Sequence, residues 1–202
     1  MNRNILIVNG HQPFPSSPGK LNAAFAGRAK AFFEDLGWHT RMVRTSVPWE
    51  IEEEVENQLW ADLILLQFPL NSMGPPWSLK RYLDEVYTAG MDGRLARGDG
   101  RTRSDPSRQY GSGGRMQGRH FMLSITTNAP RSAFGDPDQF LFAGRSPDDL
   151  LAPLHINFAF FGLAHAATFA AHDVNKAPRL EEDFERFEQT LREVAHHLQA
   201  AP

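Results

Sequence analysis

The stretch NILIVNGHQPFPSSPGKLNAAF, residues 4–25, leads from an apolar run through a loop rich in Pro, Ser and Gly into a helical pattern. The run Ile-Leu-Ile-Val at residues 5–8 has no polar alternation, which is typical of a strand buried on both faces of a parallel sheet. Apolar residues then recur at helical spacing up to Leu36, and Gly37 follows where a helix commonly ends. The stretch therefore predicts a strand, a shaped loop and a helix.

The same alternation continues along the chain. Further strands are predicted at residues 40–43, 63–68, 120–125 and 167–171, and further helices at residues 49–60, 75–90, 147–161 and 180–198. Strands that alternate with helices predict an α/β fold with a parallel sheet. Five strands with about five helices fit a flavodoxin-like three-layer sandwich around a five-stranded parallel sheet.

Composition excludes several classes of protein. The chain has 202 residues, a formal net charge of -3 and no cysteine, so disulfides, a cysteine nucleophile and a thiolate metal site are ruled out. The charge gives no general attraction to nucleic acid, and no apolar run approaches the ~20 residues needed to span a bilayer. We expect a cytoplasmic protein with no membrane span and no nucleic-acid partner. We also expect one domain over residues 1–202, with the Gly- and Arg-rich residues 90–119 as a long loop within it.

Three loops follow predicted strands at the positions where doubly wound sheets bind ligands, beyond the carboxyl ends of the strands. The loop GHQPFPSSPGK at residues 10–20 ends at a helix amino terminus, whose free N–H groups suit a phosphate. An ordinary Ser or Asn cap with nothing bound is the alternative. The loop PLNSMGPP at residues 69–76 has irregular backbone that could bond a flavin ring, or is a plain turn between prolines. Polar groups of TTNAPRSAFG at residues 126–135 could cap a helix, form a turn or bind a ligand.

The remaining polar residues give weaker signals. The arginines of residues 90–119 could bind nucleic acid, bind the 2′-phosphate of NADPH, or pair with Asp99 and Asp105 at the surface; we favour the ion pairs. The histidines show no HExxH motif or other metal-ligand spacing on one helix, and His155 is expected to be packed or near the substrate. We therefore expect no metal site.

Several segments resemble the flavodoxin-like NAD(P)H quinone reductases, in particular the family called modulator of drug activity B. The segments are NILIVNG, SSPGKLNAAF, LWADLILLQFPL, MGPPWSLKRYLDEVYTAG, DGRTRSDPSRQYGSGG, QGRHFMLSITTNAP and LAPLHINFAFFG. They lie in the family's order and cover most of the chain. The resemblance implies an NAD(P)H dehydrogenase (quinone) with FAD as cofactor, NAD(P)H as hydride donor and a quinone or other small aromatic molecule as acceptor. It also implies a homodimer with active sites at the subunit interface.

Carried over to this sequence, the resemblance implies an FAD site on four segments. The diphosphate and adenosine half is expected on Ser17, Pro18, Gly19, Lys20, Leu21, Asn22, Ala23 and Ala24. The flavin ring is expected along Leu70, Asn71, Ser72 and Met73, with Thr126, Thr127, Asn128 and Ala129 at its other edge. Tyr110 is expected to come from the long loop, and it is the candidate catalytic side chain in a reaction that the flavin itself carries. Close relatives can carry Trp where this chain has Asn71 and Ser72, so the choice of acceptor stays open.

The expected reaction is a two-electron hydride transfer from NAD(P)H through flavin N5 to a quinone. Three alternatives remain at this point. An FMN-dependent azo- or nitroreductase is the nearest, a flavodoxin-type electron carrier is the second, and a non-enzymatic protein on the same fold is the third. Bound FMN would favour the first, a stable semiquinone with little oxidation of NAD(P)H the second, and no bound flavin the third.

Overall fold

Five strands and six helices alternate in the computed structural model, which describes residues 3–200. The strands are β1 (Asn4–Asn9), β2 (His39–Arg44), β3 (Leu63–Pro69), β4 (His120–Thr126) and β5 (Ala164–Ala171). The helices are α1 (Lys20–Asp35), α2 (Ile51–Trp60), α3 (Trp77–Ala89), α4 (Pro147–Leu150), α5 (Ala152–Phe161) and α6 (Leu180–Ala200), with a 3-10 turn at Arg131–Ala133. All strand pairs are parallel, in the order β2-β1-β3-β4-β5. The predicted flavodoxin-like three-layer sandwich is confirmed.

The continuous apolar run of β1 fills a core on each face of the sheet. Ile5 and Ile7 pack on one side with α1 and α6, around Phe25 and Phe187. Leu6 and the other alternate residues pack on the opposite side with α2, α3 and α5. Since successive side chains of a strand point to opposite faces, an apolar residue is needed at every position of a strand covered on both sides.

The predicted helix over residues 147–161 is wrong in one respect, because it is two helices. Ser146 begins α4 with a capping box shared with Asp149, and the helical path is interrupted at Leu151 (φ -97, ψ 11). Pro153 lies in the first turn of α5 and has no N–H to donate to the carbonyl four residues earlier, so the helix restarts there. The predicted fifth strand at residues 167–171 is also longer than expected, since β5 begins at Ala164.

The long loop of residues 90–119 is fixed at both ends and exposed in the middle. Leu95, Ala96 and Met116 are fully buried. The N–H of Arg97 donates to the carbonyl of Gly113 at 2.8 Å, and the N–H of Met116 donates to the carbonyl of Phe161 in α5 at 2.9 Å. Residues 101–110 are exposed throughout. The loop therefore runs along the amino-terminal edge of the sheet, from the end of α3 to the start of β4.

None of the helices described in residues 3–200 combines the length and apolar character that crossing a bilayer requires. The expected single domain over residues 1–202 stays a prediction. Residues 1, 2, 201 and 202 lie outside the described part of the chain.

A chain of buried hydrogen bonds joins α2 to α3. The hydroxyl of Tyr82 donates to Oε2 of Glu54 at 2.6 Å and accepts from Nε2 of Gln58 at 2.9 Å. The hydroxyl of Tyr87 donates to Oε1 of Gln58 at 2.9 Å. Burial raises the pKa of Glu54 above its ordinary value of 4.5, and the hydrogen bond from Tyr82 opposes this shift only in part.

We expect the free energy of unfolding to decrease as pH rises from 4.5, the ordinary pKa of glutamate, through the raised pKa of Glu54. In this window the folded chain binds the proton more tightly than the unfolded chain does. Glu54→Gln keeps an acceptor for Tyr82 but does not titrate. The pH dependence of the free energy of unfolding that comes from Glu54 should therefore be absent in this variant. Denaturant unfolding at a series of pH values measures this change, with exposed Glu185→Gln on α6 as the control. Equal slopes for wild type and Glu54→Gln would contradict the assignment.

Candidate functional site

The loops after β1, β3 and β4 meet at the carboxyl-terminal edge of the sheet. The strand order reverses between β1 and β3, which opens a crevice at this edge. The N–H of Gly10 donates to the carbonyl of Gln67, and the N–H of Leu70 donates to the carbonyl of Thr126, both at 2.9 Å. Three of the four predicted segments are therefore held side by side by main-chain hydrogen bonds.

The first loop leaves the amino terminus of α1 without a side-chain cap. Phe14 and Ser17 close a tight turn through two backbone hydrogen bonds of 2.9 and 3.1 Å. Gly19 then occupies the N-cap position with φ 82, and no side chain accepts from the first turn. The alternative of a Ser or Asn cap is therefore wrong for this helix. Unpaired N–H groups and the positive end of the helix dipole remain available to an anion.

Gly19 packs directly against His11, a residue that the sequence prediction missed. A Cβ at position 19 would clash with the imidazole of His11, and the positive φ also disfavours any side chain there. His11 is buried, its N–H donates to Oδ1 of Asn9 at 3.2 Å, and its Nε2 lies 3.4 Å from Oγ of Ser17. Burial lowers the pKa of His11. The neutral imidazole of His11 thus packs against the first loop at Gly19 and supports its conformation.

A buried polar network forms the floor beneath the loops. Oδ1 of Asn22 accepts from Nε2 of Gln67 at 2.9 Å, and Nδ2 of Asn22 donates to Oγ1 of Thr126 at 3.3 Å. Oγ of Ser124 donates to Oε1 of Gln67 at 2.6 Å. The predicted cofactor residues Asn22 and Thr126 therefore direct their side chains into this network, which ties α1 to β3 and β4. Gln67 and Ser124 were missed, although polar residues inside otherwise apolar strands were a visible signal.

The second loop contains a tight turn with strained backbone. Asn71 and Gly74 exchange two backbone hydrogen bonds of 2.9 and 3.0 Å. The two residues between them, Ser72 (φ 49) and Met73 (φ 66), both lie in the left-handed region, as in a type I′ turn. This conformation costs about 1–2 kcal/mol for each residue that is not Gly. Such strain concentrates at functional sites, and Met73 is 51% exposed at the edge of the crevice.

The third loop presents Asn128 to solvent above two buried threonines. Thr126 and Thr127 are buried, and Oγ1 of Thr127 accepts from the N–H of Ala129 at 3.1 Å. The N–H of Thr127 donates to the carbonyl of Ala171, which fixes the loop to β5. Asn128 is exposed. Among these residues, Asn128 is the one whose side chain stays open to the crevice.

Tyr110 lies apart from the other predicted residues. Its side chain is 68% exposed, and its ring packs on Phe160, with 5.8 Å between centroids. Phe160 is in the last turn of α5, which leads to the amino-terminal end of β5. Tyr110 is therefore at the edge of the sheet opposite the three loops. Arg101 lies over its ring and pairs with Asp99 at 2.6 Å, in agreement with the ion-pair interpretation for this arginine.

A cavity of about 640 Å³ lies beside the crevice, between the loop after β2 and the first half of α3. Its walls include Gln12, Trp49, Trp77, Arg81 and Glu85. The predicted cofactor residues do not line it. Apart from buried Asn22, Thr126 and Thr127, and from Tyr110 at the opposite edge, they lie on the surface of the three loops, so the site is an open crevice at the strand ends.

The parallel sheet and its switch-point loops define a flavodoxin-like α/β protein, and the comparisons with known proteins agree. Residues 3–196 match the family described as having a flavodoxin-like fold. The NADPH:quinone oxidoreductase MdaB of Haemophilus influenzae is 37% identical over 95% of this chain and 98% of its own length. An uncharacterized protein of Schizosaccharomyces pombe is 40% identical over 88% of this chain and 89% of its own length. The chain belongs to the flavodoxin-like quinone reductase family that includes MdaB.

A solved structure has the same fold at lower sequence identity. General stress protein 14 of Treponema denticola, in complex with FMN, superposes with a TM-score of 0.60 at 17% identity. The match covers 98% of this chain and 98% of that protein. At this identity the likeness supports the fold alone.

The strained turn gives a prediction for stability. We expect Ser72→Gly to have a higher free energy of unfolding than Ser16→Gly by about 1–2 kcal/mol, because Gly adopts the left-handed conformation without a clash. Both changes increase the entropy of the unfolded chain equally, and both serines are exposed in tight turns, but φ of Ser16 is not positive. Urea unfolding of both variants measures the difference. Two variants of equal stability would show that the turn holds no strain.

Proposed function

We propose that the protein is an FAD-dependent NAD(P)H:quinone oxidoreductase, which moves two electrons as hydride from NAD(P)H to a quinone or other small aromatic acceptor. The observation that carries this proposal is the uncapped amino terminus of α1 beside a strained turn at the switch point of the sheet. The 37% identity to an NADPH:quinone oxidoreductase over nearly the whole chain supports the same activity.

The first loop fits the phosphates of such a cofactor. Gly19 lets the backbone approach closely, and the N–H groups of Lys20, Leu21 and Asn22 have no side-chain cap. Lys20 is exposed and adds a positive charge at the helix end. We assign Ser17, Pro18, Ala23 and Ala24 to the same half of the cofactor site.

The second and third loops fit the polar edge of a flavin ring. Within residues 3–200, the N–H groups of Ser72 and Met73 have no hydrogen-bond partner, since the turn uses only those of Asn71 and Gly74. We assign Leu70, Asn71 and Met73 to one side of the ring, and Thr127, Asn128 and Ala129 to the other. The strained turn holds its donors in place before any ligand arrives, which is the arrangement that favours binding.

The chemistry divides between cofactor and protein. A bound flavin supplies the acceptor and donor of hydride at N5. The residues of this chain would bind and orient the ring: the N–H groups of Ser72 and Met73 in the second loop would favour negative charge at the ring edge. The buried hydrogen-bond network of Asn22, Gln67 and Thr126 holds these loops in fixed positions relative to one another. No covalent nucleophile is needed, and we assign none.

We also propose that the active enzyme is a homodimer in which Tyr110 of one copy covers the crevice of the other. Tyr110 lies at the sheet edge opposite the loops of its own chain, and its ring is exposed. An exposed aromatic ring can stack on a flavin or a nicotinamide. Sedimentation of the flavin-loaded protein tests this assignment, and a monomer would overturn it.

We place this reaction in the cytoplasm. Reduced nicotinamide nucleotides circulate in that compartment, and the proposed reaction consumes one of them. Cell fractionation tests the location, and recovery of the protein outside the cytoplasmic fraction would contradict it.

The visible absorption spectrum of the purified protein is the first test of the activity. We expect a flavin spectrum that NAD(P)H bleaches and a quinone restores, with FAD released on denaturation. Released FMN would favour the azo- or nitroreductase alternative, to which the fold shared with an FMN complex is also suited. A flavin that forms a stable semiquinone and resists NAD(P)H would favour an electron carrier. Failure to bind any flavin would overturn the proposal.

Gly19→Ala tests the phosphate half of the site. We expect this variant to lose bound flavin, because the new methyl group meets His11 and α1 must shift. Gly27→Ala is the matched control: it lies in α1, and a Cβ there meets nothing within 4 Å. The control should keep its flavin and gain roughly 0.5–1 kcal/mol in stability. The measurements are flavin per chain and circular dichroism. A folded Gly19→Ala protein with normal flavin content would refute the assignment.

A further inference from the structure

Three side chains with metal-binding atoms converge where α4, α5 and β5 meet. Asp148, His155 and His165 each offer one ligand atom, and these atoms lie within 4.8 Å of one another. Oδ1 of Asp148 lies 2.9 Å from Nε2 of His155. The two imidazole rings are 4.5 Å apart and nearly perpendicular, with an interplanar angle of 89°. Two imidazoles and a carboxylate around a common centre are a donor set that first-row divalent ions use.

The two imidazoles rest on the hydrophobic core. The buried ring of Phe121 lies 5.5 Å from the ring of His155 and 5.1 Å from that of His165. Phe158 stacks on the same Phe121 at 4.5 Å. Oγ1 of Thr168 lies 3.0 Å from Nε2 of His165 and helps to orient that ring. Rings held by packing and hydrogen bonds need little rearrangement to take up a metal ion.

The outer side of the cluster is open to water. The side chain of Asp148 is 51% exposed, and His155 is its only salt-bridge partner within residues 3–200. His165 is exposed as well, so water reaches the cluster from the side of two of its three members. The cluster thus has a rigid inner half and solvent-accessible positions on its outer half.

We propose that Asp148, His155 and His165 bind a divalent first-row transition-metal ion, with water in the remaining coordination positions. Two neutral imidazoles and one carboxylate leave a net positive charge at the ion, which favours a bound water or an exchangeable anion. The ion would join α4 and α5 to β5, the strand at one edge of the sheet. This site is separate from the loops assigned to the flavin.

An ordinary ion pair is the competing explanation. A pair of Asp148 with His155 accounts for the distance of 2.9 Å between them, but it gives no role to His165. The sequence led us to expect no metal site because the three ligands come from two helices and a strand. No spacing on a single helix records their proximity, so the proposal revises that expectation.

Calorimetric titration of Zn²⁺ into the full chain, after chelator treatment and dialysis, tests the proposal. We expect one tight equivalent for the wild type and at least ~10-fold weaker binding for His155→Ala and for His165→Gln. His39→Ala removes an exposed histidine on β2, far along the sheet, and should bind as the wild type does. Absence of a tight equivalent in the wild type, or its survival in both cluster variants, would overturn the site.

Thermal unfolding separates metal binding from a structural role of the histidines. Zn²⁺ should raise the melting temperature of the wild type and of His39→Ala, because it binds the folded chain. It should not raise that of His165→Gln, whose melting temperature in chelator serves as the check that the variant folds. An equal rise of the melting temperature in all three proteins would mean that Zn²⁺ binds elsewhere and would overturn the site. If His165→Gln does not fold, Asp148→Asn takes its place, and Zn²⁺ should not raise its melting temperature either.

Discussion

The parallel pairing of β1 with β3 is the constraint on which the rest of this molecule depends. It places the crossover helices α1 and α2 on opposite faces of the sheet, so both faces are covered and the central strands are apolar except where buried polar side chains such as Gln67 and Ser124 bond one another. Polar chemistry is then confined to the strand ends. The reversal of strand order between β1 and β3 leaves a crevice at the carboxyl-terminal edge, and the loops after β1, β3 and β4 converge on it.

The buried amide and hydroxyl side chains beneath the crevice connect the sheet to the candidate functional site. Asn22, Gln67, Ser124 and Thr126 would each cost free energy if buried alone, and here they satisfy one another. Because the network spans α1, β3 and β4, it sets the position of the helix amino terminus relative to the other two loops. A site made of backbone groups needs such a buried network, since it has few side chains of its own to fix the positions of its loops.

Structural features that leave a periodic pattern in the sequence could be predicted from it. Features that depend on contacts between residues far apart in the chain could not. Apolar runs predicted β1, β3 and β4, because burial on two faces leaves a local pattern. The more exposed edge strands β2 and β5 and the three loops followed from the alternation of strands with helices. The break at Leu151 was missed because the apolar pattern continues through it, although Pro153 marked it. The support of Gly19 by His11 and the cluster around His155 arise only when separate elements pack together, so no local spacing records them.

The anchoring of the long loop has a consequence for how this protein can change. Arg97 and Gly113 are joined by a backbone hydrogen bond, and Leu95 and Met116 are locked in the core, so the residues between them form a closed loop of their own. Doubling the length of such a loop costs only about 0.6 kcal/mol in closure entropy. Insertions, deletions and substitutions can therefore accumulate around Tyr110 while the sheet and the crevice keep their stability, which makes this segment a place where the protein surface can diversify on an unchanged scaffold.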